Sequence, residues 1–444
     1  MDDFWIYKFI NFFLSVFFLI GAWSSKKAFS VWLNPVSIFS LFWFFYTAFP
    51  LVVAFEAPVN PLAIVYILFF CLSFSLSGYM FPWRVALARN ENKPNAAYYF
   101  NRPLMVAAFY GAAGFAVLMN FLGVLQQGIS IDQLISNPIA VGGIYAGKRY
   151  SGEIVSNVFS QLGLQSSYYA AVFGGLIYGS RGSVKGKKKF LVLAFLPALL
   201  VMFLQSAKGL FFFSIFLFLG GLLVTRLYNK NYTLINYSGL RVLSMYGLLV
   251  FPVVLASFLS RGIYELDDTS LILNRLRYYL VTYSSVHLPA FSDWFSERYL
   301  NESSMTYRHD FLTMGFYTFM SFFHLAGDER GLPMGIYDEF YTYGDYVKGN
   351  LFTVFRGLIN DFGLFGSFVF AFVVGVFCNL SYWRLLTCRN SAYGIMFFIY
   401  FVAISYQTYI ISSLSWLTVP LVFLVQWFLL FVLMRVGFVD RGLN

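Results

Sequence analysis

Long apolar runs alternate with short polar stretches from one end of the chain to the other. They fall at about 4–23, 31–55, 61–81, 104–125, 155–178, 190–205, 210–225, 242–260, 362–380, 392–411 and 417–434. Each stays apolar for about 16–25 residues instead of alternating, which is the pattern of a membrane-spanning helix and not of a barrel strand. The pattern predicts an all-α polytopic integral membrane protein with about eleven transmembrane helices, within a range of 10–13. The first run superficially resembles a signal peptide, but its start is acidic (Asp2, Asp3) and many spans follow, so it reads as a retained helix.

Two polar stretches interrupt the runs. The shorter, 126–154, contains Gly142, Gly143 and Gly147, which argue against a continuous helix there. The longer, 261–350, contains the apolar, aromatic stretch Phe311 to Leu325. That stretch is short for a span and reads as an interfacial or re-entrant helix. The chain then divides into an N-terminal bundle (1–260), a large loop domain with short helices (261–350) and three C-terminal spans (351–444).

Composition agrees with a membrane protein: 59% of residues are hydrophobic, 22% aromatic and 11% charged, and mean hydropathy is +0.69. Soluble domains carry about 25% charged residues. The net charge of +10 would suggest nucleic acid in a soluble protein. Here it sorts by side of the membrane. Connections after the odd-numbered runs hold 18 of the 30 Lys and Arg residues and almost no acid. This positive-inside pattern puts the C-terminus in the cytoplasm and the large loop outside, with no nucleic-acid partner. Cys71, Cys378 and Cys388 lie outside the large loop, so no disulfide framework is expected there, and no Cys/His cluster has zinc spacing.

The large loop concentrates the chemistry. It holds 12 of the 20 acids and all three histidines, His287, His309 and His324. Glu265, Asp267, Asp268, Asp293, His309, Asp310 and His324 could activate a hydroxyl as nucleophile, although each acid also reads as an ordinary solvated charge. Outward cations near the membrane are Lys148, Arg149, Lys208, Arg261, Arg275, Arg277 and Arg356. Arginine forks onto phosphate oxygens, and charge builds on a departing diphosphate; interfacial anchoring is the plainer reading. Lys208 lies between two short runs, where an unpaired cation is costly. Arg356 and Asp361, five residues apart, would point about 140° away from each other on a helix. Asp361 also reads as a helix cap. Tyrosines and Trp294 crowd the loop, suited to sugar faces or to an interface belt. There is no phosphate-binding glycine loop and no dinucleotide fingerprint.

From Gly349 the chain reads GNLFTVFRGLINDFGLFG. Asn350, Thr353, Asp361-Phe362-Gly363 and Gly366 resemble the stretch after the large outer loop of bacterial Wzy-type O-antigen and capsule repeat-unit polymerases. The architecture is similar too: many spans, one moderate outer loop and one large one. The resemblance implies a metal-independent, cofactor-free glycosyltransferase of the GT-C type in the bacterial inner membrane, with its large loop periplasmic. Its donor would be a growing glycan on undecaprenyl diphosphate, its acceptor a single lipid-linked repeat unit. A chain-length regulator would be a partner. Arginines of the two outer loops are implicated, here Arg149 in the first and Arg261, Arg275 and Arg277 in the second. His309, Asp310, His324 and Asp361 are then the candidate catalytic residues, and the outward cations the diphosphate ligands. The rivals are an O-antigen ligase, which transfers the same donor to lipid A–core, and a lipid-linked oligosaccharide flippase or other transporter. A transporter would carry charges inside its spans, and these are nearly free of them.

Overall fold

Three elements begin at an Asn-Pro step, and each is a helix N-terminus. Asn34, Asn60 and Asn137 cap helices whose first residue is Pro35, Pro61 or Pro138, accepting from the amides of Ser37, Leu62 and Ala140. Asparagine supplies the side-chain acceptor, and proline at the first position sacrifices no bonded amide. The computed structural model describes residues 2–155, 157–182, 186–234, 237–259, 268–303, 305–330 and 336–439. The helices are α1 (Asp2–Phe29), α2 (Pro35–Val53), α3 (Pro61–Leu76), α4 (Trp83–Glu91), α5 (Ala96–Phe100), α6 (Pro103–Gln126), α7 (Ile131–Ser136), α8 (Pro138–Tyr150), α9 (Val158–Ser180), α10 (Lys188–Leu204), α11 (Lys208–Tyr228), α12 (Tyr237–Leu259), α13 (Thr269–Ser284), α14 (His287–Leu300), α15 (Phe316–Leu325), α16 (Thr353–Thr387), α17 (Ala392–Gln407) and α18 (Thr418–Val439). Strands β1 (Tyr341–Tyr343) and β2 (Val347–Gly349) pair antiparallel, Tyr341 opposite Gly349.

The protein is an all-α polytopic membrane protein, 76% helical among the described residues. Among the described residues, seven helices are long and apolar enough to cross a bilayer: α1, α2, α3, α6, α11, α16 and α18. Val250–Leu259 and α17 are apolar but shorter. The helix α15 has 10 residues, too short to span.

The chain forms two compact units interleaved in sequence. The first comprises Met1–Leu87, Arg277–Arg384 and Ile404–Leu421; the second comprises Ala88–Leu276, Leu385–Ala403 and Val422–Asn444. Boundaries at 260/261 and 350/351 therefore do not mark the units. From Arg277 the large loop belongs with α1–α3, because its groups bond there: Asn60 N donates to Ser292 Oγ at 2.7 Å, and Tyr346 Oη to Glu56 at 2.9 Å. The fully buried Phe355 centres this unit, its ring 4.5 Å from Trp43, 4.9 Å from Phe70 and 5.9 Å from Phe291.

In the second unit α9 packs against α6, α10 and α11 through small residues. A Cβ on Gly175 would lie 2.3 Å from the Phe218 carbonyl oxygen. The expectation of a broken chain at Gly142, Gly143 and Gly147 is corrected: all three lie inside α8. Gly142 serves close packing, since a Cβ there would meet Phe203 O at 2.3 Å. Gly175→Ala is expected to destabilise by about 1–3 kcal/mol through overpacking. Gly111→Ala, with no neighbour within 4 Å among the described residues, should leave the thermal midpoint in detergent unchanged or slightly higher.

Candidate active site

The site is built on a broken helix in the first unit. The helix α16 is interrupted at Gly363, whose backbone (φ 69°, ψ 178°) only glycine adopts readily. The break deprives the carbonyls of Asn360 and Asp361 of their intrahelical donors. Thr313 N and Met314 N replace them, at 3.1 and 3.2 Å. To reach them the chain takes left-handed conformations at Leu312, Met314 and Gly315 (φ 50°, 54° and 96°). The buried Asp361 carboxylate locks this arrangement. It accepts from Thr313 Oγ1, Tyr317 N (2.9 Å), Thr318 N (2.7 Å) and Thr318 Oγ1 (2.5 Å), and so caps α15. With four donors on its two oxygens, Asp361 holds the loop and is not placed to take a proton from a substrate.

Arg356 faces another way. It is 1% exposed and stacks on Tyr337 and Phe352, at 4.0 and 4.4 Å. Its Nη2 donates to Glu339 Oε1 at 2.8 Å; its Nε and Nη1 have no acceptor among the described residues. Glu339 also accepts from Arg308 N at 2.7 Å. Burial pulls the Glu339 carboxyl up, but Arg356 and the backbone amides outweigh it and hold it below the ordinary value. Arg356 is thus a buried support for the exposed Arg308 and not itself a surface ligand.

The stretch 307–310 sends alternate residues to opposite partners. Tyr307 and His309 meet α14, where Asp293 and Glu297 are one helical turn apart. Tyr307 Oη donates to Asp293 at 2.7 Å, and His309 Nε2 lies 2.5 Å from Glu297 Oε2. Arg308 and Asp310 turn the other way: Arg308 Nε is 3.3 Å from Asp310 Oδ2, and Asp310 accepts the Tyr317 hydroxyl. Burial, then the nearby Asp310, raises the Tyr317 hydroxyl well above its usual range, so it stays a donor. The His309 and Glu297 side chains touch without hydrogen-bond geometry: buried Glu297 Oε2 has no hydrogen-bond partner among the described residues. The His309 side chain is 40% exposed and that of Glu297 21%. Arg298, on the same helix, packs 5.6 Å from the Phe311 ring and donates to Asn360 at 3.4 Å.

The structure therefore joins His309, Asp310, Asp361 and Arg356. Sequence reasoning did not single out Glu297, Glu339, Arg298 or Arg308. The spacing Asp293–Glu297 on a helix matches Tyr307 and His309 two apart, but nothing in the sequence says that these two segments meet. His324 sits beside them on the Asp328–Arg330 ion pair, its Nε2 3.2 Å from Arg330 O. His287 is fully buried, bonded to Tyr46 O at 2.9 Å and pushed down to about 4 by burial, so it stays neutral and joins α14 to α2. Arg277 packs 3.8 Å from the Tyr346 ring. Arg275 is exposed on α13, and Asp268 caps that helix through Ser270 N.

In the second unit, Lys148 donates to Gln127 O at 2.9 Å and Arg149 to Gln205 O at 2.9 Å. Buried Lys208, three residues beyond Gln205, donates to Ser257 O at 3.1 Å. The α10–α11 turn thus collects Arg149 and Lys208. Arg261, Glu265 and Asp267 lie outside the described residues. Among the described residues no group of three or more His, Cys, Asp or Glu could hold a metal ion.

Glu339→Ala strands a buried guanidinium and is expected to cost about 3–5 kcal/mol, whereas Arg308→Ala at the exposed rim should cost less than about 1 kcal/mol; thermal unfolding in detergent reads both. Because the folded Glu339 carboxyl lies below its unfolded value, its contribution is present above the unfolded pKa and lost as pH falls through the folded one. Glu339→Gln should flatten that acid limb of the stability profile. No protein-family model, no curated protein and no solved structure matches this chain.

Proposed function

We propose that the protein is a membrane glycosyltransferase that polymerises undecaprenyl-diphosphate-linked repeat units into O-antigen or capsular polysaccharide at the periplasmic face of a bacterial inner membrane. The observation that carries this reading is the His309–Glu297 dyad beside the exposed Arg308. A base in contact with a carboxylate, with cations next to it, suits attack by a hydroxyl on a carbon bearing an anionic leaving group. The His309 imidazole takes the proton of the acceptor sugar hydroxyl as its oxygen bonds to the donor's anomeric carbon. The bond from that carbon to the diphosphate breaks, and the electron pair leaves with the diphosphate. Glu297 stabilises the imidazolium; Arg308 and Arg298 meet the growing negative charge. The donor is already activated, so aligning two lipid-held substrates supplies much of the remainder.

The finer architecture belongs to the same reading: a GT-C-like bundle of about eleven spans, with α9, α10, α12 and α17 crossing as well. Hydrogen bonds among the basic connections of the second unit support a common side for them. Lys93, after the third run, donates to Leu385 O, after the ninth, and Lys230, after the seventh, donates to Lys93 O.

His309→Ala is expected to lower turnover of a purified lipid-linked repeat unit about 10²–10⁴-fold, with Glu297→Gln affected less. In cells, either change should collapse the polysaccharide ladder to lipid A–core capped with a single repeat. Loss of that cap as well would point to a flippase or ligase; an undiminished ladder in His309→Ala would refute the assignment.

A further inference from the structure

Three connections of the second unit meet at one corner. The segment after α4 brings Lys93, the turn after α11 brings Lys230, and the end of α16 brings Leu385, Cys388 and Arg389. Lys93 is only 8% exposed, and its ammonium donates to Leu385 O at 2.5 Å. Lys230 Nζ donates in turn to the Lys93 carbonyl at 3.0 Å. Carbonyl dipoles do not cancel a unit charge, and a buried cation without a counter-charge is costly. Yet among the described residues neither lysine makes an ion pair. Glu91, bonded to Tyr232 at 2.8 Å, offsets Lys230. Around Lys93 itself, burial pushes the ammonium down to about 7, the nearby Cys388 draws it back up and Lys230 lowers it further.

The other groups at this corner are donors too. The Tyr228 ring lies 5.5 Å from Lys93 Nζ, and its hydroxyl, fully buried, has no partner among the described residues. Tyr99 packs on Tyr228 at 5.0 Å, and the charge of the exposed Arg389 lies near its hydroxyl. Lys93, Tyr228, Arg389 and Lys230 thus offer N–H and O–H groups and positive charge on connections that carry the chain's basic excess. Groups of this kind are matched by an oxygen-rich anion, and the anions concentrated at a membrane surface are phospholipid headgroups.

We propose that this corner is a binding site for a phosphate group, supplied in the membrane by the headgroup of an acidic phospholipid. The bound phosphate provides the counter-charge that Lys93 lacks and ties together the three connections.

The test uses the full chain in neutral detergent, with thermal unfolding followed by tryptophan fluorescence. Phosphatidylglycerol should raise the midpoint saturably, while phosphatidylcholine and millimolar inorganic phosphate should not. Arg389→Gln and Lys230→Gln should each shift the phosphatidylglycerol titration to about fivefold higher concentration, the equivalent of about 1 kcal/mol per cation. Lys8→Gln, which alters a buried lysine bonded to Ala57 O in the first unit, should leave it in place. Arg389 is exposed, so its replacement tests the site even if Lys230→Gln folds poorly. An equal response to phosphatidylcholine, or a titration unmoved by both substitutions, would overturn the site. An equal response to inorganic phosphate would overturn the lipid as its source.

Discussion

The carboxylate of Asp361 is the fixed point of the first unit. A buried carboxylate is tolerable only when donors surround it, and here four do. Two of these are amides at the start of α15 and two are threonine hydroxyls. The break at Gly363 makes the arrangement possible, because it frees the Asn360 and Asp361 carbonyls to bond a second chain segment. The left-handed residues Leu312 and Met314 persist because these bonds over-determine them. Asp310 and Tyr317, on either side of that loop, take their positions from this lock.

Charge in this unit is graded by burial. Arg356 lies deepest and needs Glu339 to exist there as a cation. Glu339 in turn holds the main chain of Arg308, whose side chain reaches water. The groups with freedom to meet a ligand, His309, Arg308 and Arg298, therefore rest on groups that have none. The proposed reaction, which needs a base and cations near two substrates, would benefit from this order, since rigid supports reduce the reorganisation needed.

The second unit obeys a different rule. Its helices approach closely through glycine and other small residues, and among the described residues its basic connections are joined by lysine-to-carbonyl bonds instead of ion pairs. Each carbonyl satisfies a donor but leaves a net positive charge at that corner. Neutral packing inside and positive connections outside are what a bilayer with acidic headgroups asks of a helical bundle.

The apolar runs by themselves determined that the chain is helical and membrane-embedded, because run length and hydrophobicity are local properties that a bilayer reads directly. The concentration of acids and histidines in 261–350 marked where polar chemistry gathers, and the Asn-Pro steps carried their helix starts in plain view. Tertiary structure alone decided the pairings. Glu297 meets His309 and Glu339 meets Arg356 across 12 and 17 residues of irregular spacing, and no local period encodes such distances. It also decided that Gly142 packs inside a helix instead of ending one, and that Asp361 is a saturated support. A residue type states which bonds it can make; only the fold states which of them are already taken.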